Sequence, residues 1–219
     1  MKNSLTVFQR SLFDTYQNLG VILWATVLWW ISVLPIITLG PATAGLFYVI
    51  KCKKTKVTVG PRDYWTGVKK YFSIGMRLTL LHLFVVVPGL SYFFLLLRTE
   101  SFFSYFIAMI LLYFILMWHL FMLYMMPILV EQEVTKISIL FKRSFRLVTE
   151  NYFFTVNIVL YMFFVTLISS ILAIMLIVWA GWMAMTAYNS LLYLLNKYEP
   201  NEYRFDEEVN WRGTVRPWK

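Results

Sequence analysis

The sequence predicts an all-α, polytopic transmembrane helix bundle of about five spans, with amphipathic juxtamembrane helices on the cytoplasmic side. Three observations predict it. Hydrophobic residues make up 60% of the chain and charged residues only 14%, whereas a soluble domain is about a quarter charged. Too few charges remain to coat a water-soluble particle of this size. Four windows, 15–50, 78–97, 101–130 and 151–196, contain no Asp, Glu, Lys or Arg. The basic residues, finally, cluster between those windows rather than spreading along the chain.

Each window is read against the bilayer. A helix needs about 20 apolar residues to cross roughly 30 Å of hydrocarbon. The second and third windows fit one span each, 78–98 and 103–128. The fourth is twice the required length and turns back near Ser169 and Ser170 or shortly after, giving spans 152–172 and 175–195. The first contains Pro35, Gly40 and Pro41. Proline removes a backbone donor and disrupts the preceding turn, so the first span, about 17–39, is broken or kinked at 35–41. Residues 42–50 either extend that helix beyond a kink or form the return leg of a re-entrant hairpin. Residues 196–219 form a cytoplasmic tail.

Lys and Arg orient the chain. The first loop carries eight: Lys51, Lys53, Lys54, Lys56, Arg62, Lys69, Lys70 and Arg77. The positive-inside rule places this loop and the C-terminus in the cytoplasm. The side of the N-terminus depends on whether 42–50 is a return leg, and stays open. Of the net charge of +9, about +7 lies in this loop. The charge is therefore an orientation signal first. Anionic lipid headgroups are its natural counterions, and nucleic acid is not an expected partner. No cleavable signal peptide is read at the N-terminus, where Asp14 and a Trp-rich stretch replace the short apolar core.

Two stretches precede spans with helical periodicity. Trp65, Val68, Phe72 and Met76 share one face, with Lys69 and Lys70 on others; Ile137, Phe141, Phe145 and Val148 are opposed by Lys142, Arg143 and Arg146. Both read as amphipathic helices with a basic face. Val68-Lys69-Lys70-Tyr71-Phe72 parallels Phe141-Lys142-Arg143-Ser144-Phe145, so 65–130 and 138–196 are either a parallel repeat or two ordinary juxtamembrane arrangements. The tail has five basic and five acidic residues with Tyr203, Phe205, Trp211 and Trp218 among them. Docking back onto the protein is its preferred reading.

Reactive groups are sparse. The single Cys52 excludes an intramolecular disulfide and a cysteine zinc site. His82 and His119 fall in the same half of neighbouring spans without a carboxylate to complete a metal site. No Asp or Glu lies inside a span, which weighs against ion-coupled transport. No phosphate-binding loop or hydrolase motif occurs. Catalytic, cofactor and metal residues are therefore assigned to none, and the chain is not expected to be an enzyme. The candidate structural or partner contacts are Pro35, Thr38, Gly40, Pro41, Ala44 and Gly45 at the broken helix, and Trp65, Lys69, Lys70 and Phe72 on the first amphipathic helix. Gly40, Ala44 and Gly45 allow close backbone approach. Pro41 suits a helix start, and Thr38 can satisfy groups freed by the break.

The run 34–48, Leu-Pro-Ile-Ile-Thr-Leu-Gly-Pro-Ala-Thr-Ala-Gly-Leu-Phe-Tyr, resembles the signature of the YesL-like family, small bacterial membrane proteins with a domain of unknown function. The resemblance reaches back to Asn18 and Trp24. Downstream, Arg62-Asp63-Tyr64-Trp65 with Lys69-Lys70-Tyr71-Phe72 is similar to the family's Asp-Phe-Phe…Phe-Lys…Phe stretch, Tyr64 and Trp65 standing for phenylalanines. Gly45 departs from the more usual alanine. The resemblance implies about five spans and an association with uptake and breakdown of complex carbohydrates, including binding-protein-dependent ABC importers. It implies no catalytic residues. The expectation is a bacterial inner-membrane protein that is an accessory or assembly partner of a carbohydrate ABC-type uptake system. The alternative is a small solute facilitator or lipid-handling membrane protein.

Overall fold

The structure, a computed structural model, describes residues 2–55 and 58–206. Lys56 of the first loop and tail residues 207–219, Trp211 and Trp218 included, lie outside the described residues. Among the described residues the chain is a bundle of α-helices joined by short turns, without strands. Four helices, or up to five with one bent pair, are long and apolar enough to cross a bilayer.

Chain order repeats a three-helix unit. In each, a short helix lies ahead of an elbow, a second helix leaves the elbow, and a third returns beside it. The first unit is α1 (Lys2–Gln17), α2 (Leu19–Val33) and α3 (Leu39–Thr55). The second is α4 (Pro61–Lys70), α5 (Phe72–Arg98) and α6 (Phe102–Glu131). The third is α7 (Ile137–Glu150), α8 (Tyr152–Ile171) and α9 (Leu176–Tyr198).

The elbows are conformationally alike. Asn18 has φ −114°, ψ 25°; Tyr71 has φ −106°, ψ 14°; Asn151 has φ −127°, ψ 40°. Each donates its backbone N–H to the carbonyl four residues back and accepts one from four residues ahead, so the hydrogen-bond ladder survives the bend. The two asparagines add a side-chain bond to the same carbonyl, Asp14 or Leu147. Asparagine suits this place because its short amide reaches the local backbone. At Asn18 the two helix axes turn by 92°.

With the elbows in register, Phe8-Gln9-Arg10-Ser11 matches Phe141-Lys142-Arg143-Ser144, each starting ten residues before its elbow. Ser11 and Ser144 are both fully buried. The sequence pairing of Val68–Phe72 with Phe141–Phe145 joins positions that are not equivalent, because Val68 lies three residues before its elbow. The segments 65–130 and 138–196 are the second and third of three units.

Where a single first helix over 17–39 is one expectation, the structure has the return leg. The chain leaves the helix at Pro35 (φ −81°, ψ 90°) and makes one 3-10 turn, Ile36–Thr38. Thr38 Oγ1 donates to the carbonyls of Ser32 and Pro35, satisfying groups freed by the break. The other three apolar windows are covered by α5, α6, α8 and α9. At 15 residues, about 22 Å, α2 is shorter than the hydrocarbon thickness. In contrast, α5 and α6 run 27 and 30 residues, and Phe84 and Phe102 on them are 76% and 87% exposed, as a lipid-facing surface would be.

The three returning helices, α3, α6 and α9, pack on one another, run the same way and hold most of the buried core. Side-chain bonds tie the ends of α3 and α6 to each other and to the middle of α9. Lys51 Nζ donates to the carbonyls of Val130 and Glu131 at 2.9 Å, and Tyr188 Oη donates to Glu131 Oε2 at 2.5 Å. Lys54 Nζ donates to Asn189 Oδ1 at 2.6 Å. Around this centre the short helices pack in a ring: α4 on α3, α7 on α6, and α1 on α9.

Candidate functional site

Two joints of the ring are made the same way. The amide of Gly40 on α3 donates to Thr79 Oγ1 on α5 at 2.8 Å, and the amide of Gly181 on α9 donates to Thr26 Oγ1 on α2 at 3.0 Å. Both threonines lie eight residues beyond their elbow. A Cβ on Gly40 would fall 2.1 Å from the Gly75 carbonyl oxygen, and one on Gly181 2.6 Å from Ile22 Cγ2. Glycine is required by approach, since no larger residue leaves room for the amide bond. At the third joint Tyr124 on α6, fully buried, meets Thr155 on α8 at 3.2 Å. The phenol ring holds α8 off α6. An open apolar groove of about 200 Å³ is lined by Met122 and Met126 of α6, Met162 of α8, Met183 of α9 and residues of α2 and α3.

Polar residues gather where α3, α6 and α9 end. The larger cleft there, about 990 Å³, lies between the C-terminal ends of α6 and α9 and the inner side of α7. Five carboxylates line it, Glu131, Glu133, Glu150, Glu199 and Glu202, against three cations, Lys51, Arg143 and Arg146. Much of this charge is committed. Glu133 accepts from Lys70 at 2.7 Å, Glu150 from Arg146 at 2.7 Å, and Arg143 donates to Gln132. The Lys70 hydrogen bond holds the Glu133 carboxyl below the usual carboxylate range, and the Arg146 bond does the same for Glu150. Burial pushes the Tyr203 phenol up. The remaining excess on this cleft is negative.

A second, smaller cleft of about 320 Å³ opens at the seam between α1, α3, α9 and the tail. Its floor is a network of charged and amide side chains. Asn189, fully buried, donates to Asp14 Oδ2 at 3.0 Å and Ser11 Oγ at 3.2 Å. Lys54 Nζ stands 3.7 Å from Asp14. Arg10 bridges Asp14 and Asp206, each at 2.9 Å. A buried carboxylate is tolerable here because cations and amide donors replace its water. The tail docks: Phe205 packs edge-on against Tyr193 at 5.5 Å, next to the Asp206 ion pair.

The residues singled out in the sequence do not meet in one place. Gly40, Pro41, Ala44 and Gly45 are buried against α4 and α5 as packing surface. Pro35 and Thr38 form the tip of the α2–α3 hairpin. Trp65 and Phe72 face outward, 44% and 47% exposed. Lys69 is exposed, while Lys70 reaches Glu133 and lies over the rings of Tyr48 and Tyr71. His82 and His119 come together with ring centroids 5.3 Å apart. Each uses Nδ1 locally: His82 accepts from Trp118 Nε1, and His119 bonds the Ile115 carbonyl. No group of three or more metal-ligating side chains occurs among the described residues. Sequence reasoning missed Arg10, Asp14, Lys54 and Asn189. The Arg10–Asp14 spacing of four and the repeated Phe-x-Arg-Ser were the available signals.

A family profile described as "Protein of unknown function, DUF624" matches residues 22–93. That segment runs from α2 into α5 and contains both sides of the Gly40–Thr79 joint. It supports membership of this region in an uncharacterised domain family. No curated protein and no solved structure matches the chain.

Proposed function

We propose that this chain is a non-enzymatic bacterial inner-membrane protein, an accessory or assembly partner of a carbohydrate ABC-type uptake system, with its tail in the cytoplasm. The cleft of about 990 Å³ carries the reading. Small-molecule sites are concave and mostly apolar with few polar groups. This cleft is open, walled largely by charged side chains, and lined by residues near helix ends of all three units. Such a surface suits a polypeptide segment with compensating basic residues, where charge complementarity sets register and partner choice. The importer as partner follows from the resemblance of residues 18–77 to the YesL-like family. The test is purification in mild detergent at native expression. Importer subunits should co-purify, and Glu199→Lys with Glu202→Lys should release them. Recovery of the protein alone would count against the reading.

One observation favours a second reading, lipid handling. The open groove of about 200 Å³ is almost wholly apolar and rich in methionine, a side chain that adapts to irregular apolar ligands. Extraction of bound lipid from the purified protein, with loss on Met122→Trp, would support it. Robust sugar flux through the reconstituted protein would instead support a facilitator.

A further inference from the structure

The smaller cleft has charges that the fold does not use. Four cations line it, Arg10, Lys53, Lys54 and Arg204, against two carboxylates, Asp14 and Asp206. Arg10 and Lys54 are the paired ones, held by Asp14, Asp206 and Asn189. Lys53 and Arg204 make no hydrogen bond or ion pair among the described residues. They come from different elements, Lys53 from the last turn of α3 and Arg204 from the docked tail. Among the described residues the cleft thus has an excess of two positive charges, and Lys53 and Arg204 both line its cavity of about 320 Å³.

We propose that this seam binds a phosphate ester, and that binding pins the tail to α3. A phosphate carries the compensating charge and several acceptor oxygens. It can take a bidentate bond from the Arg204 guanidinium and a point contact from Lys53. The remaining walls are apolar: Ile50, Met185, Leu192 and Phe205. They accommodate the carbon body of the ester rather than a bare ion. Asn18, the elbow at which the polar-faced α1 meets the apolar α2, lies at the cleft's edge. The site therefore lies where a polar-faced helix gives way to an apolar one, accessible to a lipid phosphate and to a soluble phosphate ester alike. This inference does not depend on the importer reading, because it concerns the chain alone.

Trypsin cleavage after Arg204 reports the site directly, with cleavage after Lys197 as internal reference. The full chain is purified in a maltoside detergent, which contains no phosphate. One arm adds phosphatidic acid to the micelles; a second adds soluble glycerol phosphate; a third adds chloride at equal ionic strength. At ligand concentrations ten times Kd, cleavage after Arg204 should slow about tenfold, since only the open tail is cut. Protection by the lipid alone identifies a headgroup site, and protection by the soluble ester alone identifies a free metabolite site. Lys53→Gln should leave cleavage without ligand unchanged and abolish protection. The proposal is overturned if neither phosphate source protects, if chloride protects equally, or if Lys53→Gln is protected as well as the unsubstituted chain.

Discussion

The amide of Gly40 donates a 2.8 Å hydrogen bond to the hydroxyl of Thr79, and the same bond recurs between Gly181 and Thr26 on the far side of the bundle. Two glycines and two threonines thus close equivalent joints in a ring of three helical units.

Gly40→Ala should destabilise the protein by about 1–3 kcal/mol or more, because the new methyl would overlap the Gly75 carbonyl, which is backbone and cannot swing aside. Gly20→Ala is the control. Nothing lies within 4 Å of a Cβ there, and removing a helical glycine should stabilise by about 0.5–1 kcal/mol. Thermal unfolding of both variants in one detergent checks this. Equal melting temperatures would show that the joint is not close-packed.

Asp14→Leu should cost about 1–3 kcal/mol, because it leaves Lys54 and Asn189 facing a hydrocarbon side chain. The figure stays below that for a fully buried pair, since the Lys54 side chain keeps 31% exposure. Adding Lys54→Met should recover most of the loss, as apolar replacement of both partners does at buried pairs. Denaturant titration of the single and double variants measures the coupling. A double variant no better than the single would mean that Asp14 acts through Arg10 instead.

The Lys70–Glu133 pair should add less than about 1 kcal/mol, because both side chains are more than a third exposed and water screens them. Its pH dependence has a definite sign. The folded Glu133 carboxyl is held low, so its contribution is present above the unfolded value near pH 4.5 and fades as pH falls through the folded value. Lys70 is raised, so its contribution holds at neutral pH and is lost only as strongly alkaline pH passes its folded value. The melting difference between the protein and Glu133→Gln should therefore be flat from pH 6 to 9 and shrink toward pH 3. A difference growing in acid would contradict the pairing.

Hairpin geometry makes a topological prediction. Asp14 and Lys54 stand 3.7 Å apart, so the chain enters α2 and leaves α3 at the same end. In a Cys52→Ser background, single cysteines at Gln9 and Lys142 should react with an impermeant thiol reagent only after cells are opened. Labelling of Gln9→Cys alone in intact cells would invert the N-terminal helix and break the Asp14 network.

Much of this architecture is legible in the sequence. The charge-free windows marked the long helices because desolvating a charge in hydrocarbon is costly, and that cost operates one segment at a time. Pro35 marked the break for the same local reason. The elbows were harder, since Asn18, Tyr71 and Asn151 share a backbone shape but only two share a side chain. A pairing made on similar pentads was therefore set seven residues out of register. The charged network was hidden because its members are far apart in the chain: Asp14, Lys54 and Asn189 are ordinary residues until the ends of α1 and α3 meet the middle of α9.

The sequence by itself determined that the chain is helical and apolar, with a basic loop between its apolar segments, because transfer free energy and helix length are properties of single segments. Tertiary structure alone decided that 17–50 turns back, that glycines at 40 and 181 face threonines, and that Lys53 and Arg204 share a cleft. These are matters of approach between distant residues, set by which backbones can come within hydrogen-bonding distance, and no one-dimensional pattern carries that information.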